Sequence, residues 1–269
     1  MPRSVQVSPR HHVALSEDYL TMIDRAPRED FVVRTLAHKK AGETTLMMGE
    51  LVIAGAATRE QYALARRYPL HFRKTYYPGG MHGDPRAEFD LHMRASSVVP
   101  VPPPIGATRE TFRSCLLPGS PLNRLSSLGT EPDESNIKTA SELSLASAAG
   151  LWRLTEEALK LLTQLQASGL THGDAHLHNF IACPSPLEVL PIDFEIALLK
   201  EQVDEREWLR RCEADRVHLL KLAVFLQCAL GQQHGSLGVE SMNKLETLVQ
   251  PAAAFHDAIA ERTFDSSIS

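Results

Sequence analysis

Asp174, Asn179 and Asp193 are the residues whose types and spacing could do chemistry. Asp174 lies in "THGDAHLHNF" (Thr171 to Phe180), Asn179 follows it by five residues, and Asp193 comes 19 residues after Asp174 inside "IDFE". Phosphoryl transfer from ATP needs a carboxylate to orient the attacking hydroxyl, plus an Asn and a second Asp whose oxygens hold magnesium against the phosphates. An aspartate within "PLEVLPIDFEIALL" is also costly to bury without a ligand or partner. A phosphate donor requires a fixed cation as well. Lys74 in "HFRKTYY" can supply it, and Glu88 in "AEFDLHM" can hold the ammonium in place. The bland readings are a lysine that snorkels from a strand and a carboxylate on a solvated helix face.

The same stretch has a second chemical reading. His172, His176 and His178 alternate with Asp174 and could bind zinc or iron. The order in "HGDAHLH" is wrong for the His-x-His-x-Asp-His pattern of metallohydrolases, and a metal hydrolase leaves Lys74, Glu88 and Asp193 unexplained. A second His-Gly-Asp triplet, His82 to Asp84, has no Asn five residues on. With Pro85 directly after it, that copy reads as a helix cap.

Several elements must position these groups. Residues 51 to 77 read as three strand-like segments, "ELVIAGA", "QYALARR" and "LHFRKTYY", forming a small antiparallel sheet. Asp84 as N-cap and Pro85 in the first turn predict a helix from Ala87 to Ala95. The Pro-rich "VVPVPPPIGATRETFRSCLL" reads as a loop leading into two short strands, and "NRLSSLGTEPDESNIKTASEL" as a surface loop. In "LWRLTEEALKLLTQLQASGL", Leu151, Leu154, Ala158, Leu161 and Leu165 recur at helical spacing, and Gly169 ends the helix just before the Asp174 loop. "LEVLPIDFEIALL" reads as a hairpin around Pro191, "CEADRVHLLKLAVFLQCAL" as a helix, and Ser236 to about Arg262 as a terminal helix.

Composition excludes other classes. The chain has 269 residues, 43% of them hydrophobic, and a formal net charge of -5. That suffices for one large domain or two lobes, and it gives no overall basic footprint for nucleic acid. Cys115, Cys183, Cys212 and Cys228 are scattered without a Cys-x-x-Cys pair, as expected of buried thiols in a reducing, cytoplasmic setting. The start has no continuous apolar core of a signal peptide, and "LLKLAVFLQCAL" is too short to span a bilayer.

Through "HFRKTYY", "AEFDLHM", "HGDAHLHN" and "IDFEIA", over roughly Met48 to Gly231, the chain resembles the protein kinase-like superfamily. The resemblance implies an α+β, two-lobed fold: an N-terminal extension over 1–40, a lobe of small antiparallel sheet plus one helix over 41–117, and a mostly helical lobe over 118–269. It implies ATP and magnesium as cofactors, with Asp174 as the base or hydroxyl-positioning group and Asn179 and Asp193 as magnesium ligands. Lys74 would be the phosphate contact, Glu88 its partner, and backbone groups from Cys115 to Leu117 would meet adenine in the cleft. "GAATREQYALA" is the candidate phosphate-covering loop, with Gly55 as its first glycine and Tyr62 against the base. Ala57 and Glu60 stand at the later glycine places.

His176, two residues after Asp174, stands where eukaryotic-type protein kinases carry a lysine, and "IDFE" replaces Asp-Phe-Gly. Both are similar to aminoglycoside and choline kinase-like phosphotransferases. Only about 20 residues separate Asp193 from Asp215, with no Ala-Pro-Glu triplet between them, so a regulated activation segment has little room. The span between "FRSCLLPG", which the resemblance makes the hinge, and the Asp174 loop is short for the inserted helices of those small-molecule kinases. The expectation is a compact, atypical kinase acting on a hydroxyl of a small molecule or sugar. The alternatives are an atypical protein Ser/Thr kinase, a pseudokinase binding module and the metal-dependent hydrolase.

Overall fold

The computed structural model describes residues 3–41, 43–78, 84–124, 148–184 and 186–234. The chain divides into two compact units, one of Met1–Gly119 with Ile181–Leu198 and the other of Ser120–Phe180 with Leu199–Ser269. The segment 125–147 and the expected terminal helix from Ser236 lie outside the described residues, as does the second His-Gly-Asp triplet up to Gly83. Among the described residues no helix is long and apolar enough to cross a membrane.

The first unit begins with a short antiparallel pair, β1 (Ser4–Gln6) and β2 (His12–Ala14), and helix α1 (Glu17–Arg25). Five strands then form one antiparallel sheet: β3 (Phe31–Ala41), β4 (Thr44–Ile53), β5 (Leu70–Tyr76), β6 (Pro104–Ala107) and β7 (Thr111–Cys115), in the order β3-β4-β5-β7-β6. Alternation along β5 puts Phe72, Lys74 and Tyr76 on one face and His71, Arg73 and Thr75 on the other. On the second face Arg73 pairs with Glu50 and Asp30, and Arg113 with Asp30. Lys74 is thereby separated from that network by the pleat.

Two sequence readings change here. β3 starts at Phe31, inside residues 1–40, and it is an edge strand exposed along most of its length. An edge strand buries one thin stripe, so its apolar period is faint, and Arg34, Lys39 and Lys40 are the charges that guard such an edge. The segment "QYALARR" is helical rather than a strand. Helices α2 (Ala56–Gln61) and α3 (Ala63–Arg67) link β4 to β5, built from alanine and arginine, which favour helix.

Helix α4 (Pro85–Ser96) starts as its sequence predicts. The Asp84 side chain accepts from the Arg86 backbone N–H at 2.9 Å, and Pro85 occupies the first turn. Its buried residues, Pro85, Glu88, His92 and Ala95, follow a single helical stripe. Glu88 therefore faces inward.

After β8 (Ser120–Pro121), the second unit holds a helix over Ala148–Ala167 and another over Glu205–His234. Leu154, Ala158, Leu162 and Leu165 are buried along the first. Gly169 ends it in the left-handed region, φ +84°, where glycine alone avoids a Cβ clash. The hairpin also moves relative to its sequence reading. Its strands are β9 (Phe180–Pro184) and β10 (Leu187–Pro191), so Pro191 closes a strand rather than the turn, and Asp193 lies in the loop beyond it. Ile196, in the second apolar run, is 48% exposed, and that run forms no strand.

Candidate functional site

Within the sheet unit, Lys74 meets three carboxylates. Its Nζ donates to Asp193 Oδ1 at 2.6 Å, Glu195 Oε2 at 2.8 Å and Glu88 Oε1 at 3.4 Å. An ammonium has three N–H donors, so this set saturates it. Lys74 is 3% exposed and Glu88 1%. Burial alone would push the lysine down, but Glu88, Asp193 and Glu195 hold its pKa above the usual range.

Burial pushes Glu88 up to about 7 against the pull of Lys74, and Asp193 adds to the rise. The Tyr76 hydroxyl bonds to Glu88 Oε2 and lies 2.9 Å from Glu195 Oε2. One phenolic proton cannot serve both carboxylates, so the cluster has a use for the proton that Glu88 retains. The phenol itself is held above its usual range, first by burial and then by Glu88 and Glu195.

The sign of this linkage is testable. Glu88 has a folded pKa above its unfolded value of about 4.5, so its stabilising contribution is complete below pH 4.5 and fades as pH rises through about 7. The stability of wild type relative to Glu88→Gln is expected to fall by roughly 3 kcal/mol across that window. Urea denaturation at a series of pH values measures it, and a difference that stays flat would exclude the retained proton.

The loop carrying Asp193 is fixed by the residue between its two acids. Phe194 is fully buried, and its ring meets His92 of α4 edge-on, with centroids 5.2 Å apart. His92 is anchored in turn by Nε2, 2.7 Å from the Pro102 carbonyl. Asp193 has φ +66°, a left-handed backbone that Asp tolerates better than most residues but that still costs on the order of 1–3 kcal/mol. Ligand oxygens from Glu88, Asp193 and Glu195 all lie within 4.8 Å of one another. A hard divalent cation such as magnesium takes oxygen donors of this kind.

In the helical unit the Thr171–Phe180 loop is built around Asp174. The buried carboxylate of Asp215 accepts the backbone N–H groups of His172 at 2.7 Å and Gly173 at 2.9 Å, fixing the turn in front of Asp174. Burial pushes Asp215 up to about 6, opposed by those two hydrogen bonds. The Asn179 amide donates to the Asp174 carbonyl at 2.8 Å and to its Oδ2 at 3.0 Å.

Around the same carboxylate, His178 Nε2 stands 3.8 Å from Oδ2 and His176 Nε2 3.2 Å from Oδ1. The His178 imidazole first, then His176 and the Asn179 amide, hold Asp174 down to about 2 against its partial burial. A carboxylate this acidic serves as an orienting acceptor more readily than as a strong base. The His176 ring stacks between His178 and His218, at 5.3 and 4.7 Å. His172 is buried beside Phe180, ring centroids 5.6 Å apart. Among the described residues the histidines of this loop form no trio of converging metal donors.

Other sequence candidates take structural places. Gly55 precedes α2, its N–H donates to Asp30 Oδ1 at 3.1 Å, and an added Cβ would lie 2.3 Å from the Glu29 carbonyl carbon. Its segment is helical and packed rather than an open loop, which corrects the reading of Gly55 as the start of a phosphate-covering loop. Tyr62 covers Gly106, where an added Cβ would meet its ring at 2.2 Å. Cys115 is 1% exposed, sits in a core with Ala54, Ala65, Tyr68 and Ile105, and has a thiol pushed up to about 12 by burial. Its N–H is already given to the Pro103 carbonyl at 2.9 Å. Leu117 packs on Ile181, Cys183 and Leu190.

The structure thus brings Lys74, Glu88 and Asp193 together in one unit, and Asp174 with Asn179 in the other. It adds Glu195, Tyr76, Asp215 and His218. Glu195 and Tyr76 stand inside the motifs "IDFE" and "HFRKTYY". Asp215 shares an inward stripe with Cys212 and Leu219, and an acid on an apolar helix face is the sequence signal of a buried partner.

No protein-family model matches the chain, and no curated protein matches it in sequence. Among solved structures it is similar to the kinase domain of Mycobacterium tuberculosis PknI, at 16% identity over 73% of each chain with a TM-score of 0.40. It is also similar to the Rio2 kinase of Chaetomium thermophilum, solved as an ADP/Mg2+-phosphoaspartate complex. That match has 14% identity over 97% of this chain and 81% of that one, with a TM-score of 0.45. Both of those proteins are kinases.

Proposed function

We propose that the protein is an ATP- and magnesium-dependent phosphotransferase that passes the γ-phosphoryl group to a hydroxyl of a small molecule or sugar. The observation that carries this reading is the buried Lys74 ammonium, held by Glu88 of α4 and by Asp193. A free-standing structural ion pair has no use for a strained loop presenting a second and third carboxylate. In this reading Lys74 contacts phosphate and Glu88 aligns it. Asp193 and Asn179 ligate magnesium, and Asp174 receives the acceptor hydroxyl. Magnesium, when bound, would neutralise charge on the phosphates. The main chain after Cys115, toward Leu117, is left to meet the base. Three buried thiols, Cys115, Cys183 and Cys212, suit a reducing cytoplasm.

His176 and Glu195 support the small-molecule acceptor, since they occupy the places of the lysine and glycine typical of protein kinases. A binding module without turnover is the second reading. It draws on the saturation of Lys74, whose ammonium must give up a carboxylate before it can reach a phosphate. Transfer from γ-labelled ATP to a panel of amino sugars, choline-like alcohols and Ser/Thr protein substrates separates the readings. Label on a small molecule is the expected result. Label on protein alone moves the acceptor class, and magnesium-dependent ATP binding with no transfer to any acceptor establishes the binding module.

A further inference from the structure

On the sheet unit, β1, α1 and the α2–α3 pair line an open cavity of about 410 Å³ whose lining includes Arg3, Arg59, Arg66 and Arg67 with Asp24 as its one carboxylate. The chain as a whole is acidic, at -5, so this concentration of guanidinium groups is local. We infer that the cavity binds a phosphate group, as a free ion or as a phosphate monoester, through these four arginines.

Arg3, Arg66 and Arg67 are exposed, but the arginines of α2 and α3 are anchored rather than free. Arg59 Nε donates to the Ala54 carbonyl at 2.9 Å, and its Nη1 and Nη2 donate to the Ile23 carbonyl at 3.2 and 3.3 Å. Arg66 Nε donates to the Arg59 carbonyl at 2.7 Å and its Nη2 to the Glu60 carbonyl at 3.4 Å. Arg67 lies over the buried Tyr68 ring, 5.3 Å from its centroid. Carbonyls and a π face fix a guanidinium without cancelling its charge, and a guanidinium carries more N–H donors than these contacts use.

None of Arg59, Arg66 and Arg67 forms an ion pair with a described carboxylate. Arg3 alone does, with Asp24 at 3.1 Å. Burial also pulls Arg59 below its usual pKa, with Asp24 only partly offsetting it, the mark of a cation short of counter-charge. A tetrahedral oxyanion accepts several charge-assisted hydrogen bonds at once and matches such forks.

The test uses the full chain in thermal-shift titrations with sodium phosphate and with glycerol phosphate, against sodium chloride at equal ionic strength. A rise in Tm with either phosphate, absent with chloride, is expected. In Arg66→Ala/Arg67→Ala the affinity should drop by about tenfold or more, the scale of losing hydrogen bonds to a charged group. The stabilisation by magnesium and ATP should stay unchanged in this variant. Both positions are exposed on α3, where alanine favours helix.

Arg3→Ala provides a second handle. It strips Asp24 of its partner, turns that carboxylate toward the anion, and should weaken binding several-fold without touching α3. Tighter binding of the monoester assigns the site to a phosphorylated molecule, and tighter binding of phosphate assigns it to the free ion. Equal stabilisation by chloride, or variants that titrate like wild type, would overturn the inference.

Discussion

Asp174→Ala is expected to slow phosphoryl transfer by roughly 10²–10⁴-fold, the range of a positioned proton acceptor, while leaving magnesium–nucleotide stabilisation of the fold intact. The expectation follows from how the loop is built. Asp174 is not buried as a structural ion. Its side chain is 34% exposed, and its partners are a single amide and two imidazoles. The turn beneath it is held by Asp215, which takes the His172 and Gly173 N–H groups and does not depend on the Asp174 side chain. Truncation therefore removes a carboxylate and leaves its platform.

With that carboxylate gone, the Asn179 amide keeps its bond to the Asp174 carbonyl. Steady-state rates measured beside thermal shifts in ATP and magnesium test both halves of the prediction. A variant with undiminished kcat would remove Asp174 from the chemistry. One that loses nucleotide stabilisation as well would mean that the carboxylate holds the nucleotide rather than the acceptor.

Parts of this design were legible in the residues alone, and the reason is local chemistry. β5 reads as a strand because aromatic and β-branched residues fill it, and α4 announces itself because Asp84 and Pro85 satisfy a helix start whatever packs on it. β3 was invisible because an exposed edge strand needs few apolar residues. The α3 segment reads as a strand in the sequence because the helix is so short that no full helical period is written. Lys74, Glu88 and Asp193 could be nominated from type and order, but Glu195 could not, since a third carboxylate within reach of one ammonium is a property of the tertiary arrangement. The same holds for Gly55, whose need for glycine comes from the Glu29 backbone, distant in sequence but against it in space.

Asp193→Ala should abolish the magnesium-dependent part of nucleotide stabilisation. At a ligand concentration of about 100 times Kd, that part is worth roughly 2.7 kcal/mol. The protein without ligand should tolerate the change, because Lys74 keeps Glu195 at 2.8 Å and Glu88 at 3.4 Å, and Phe194 still anchors the loop. Alanine is strained at φ +66°, so some stability is lost to the backbone, and Asp193→Asn supplies the control. Asparagine also accepts the left-handed conformation and can receive the Lys74 hydrogen bond through its amide oxygen, but it has no charge to offer a cation. If the site is built for magnesium, Asp193→Asn loses the magnesium-dependent shift while keeping the ligand-free Tm near wild type. Were the asparagine variant to retain that shift in full, the carboxylate would be serving Lys74 alone, and the cation would have to be held by other oxygens.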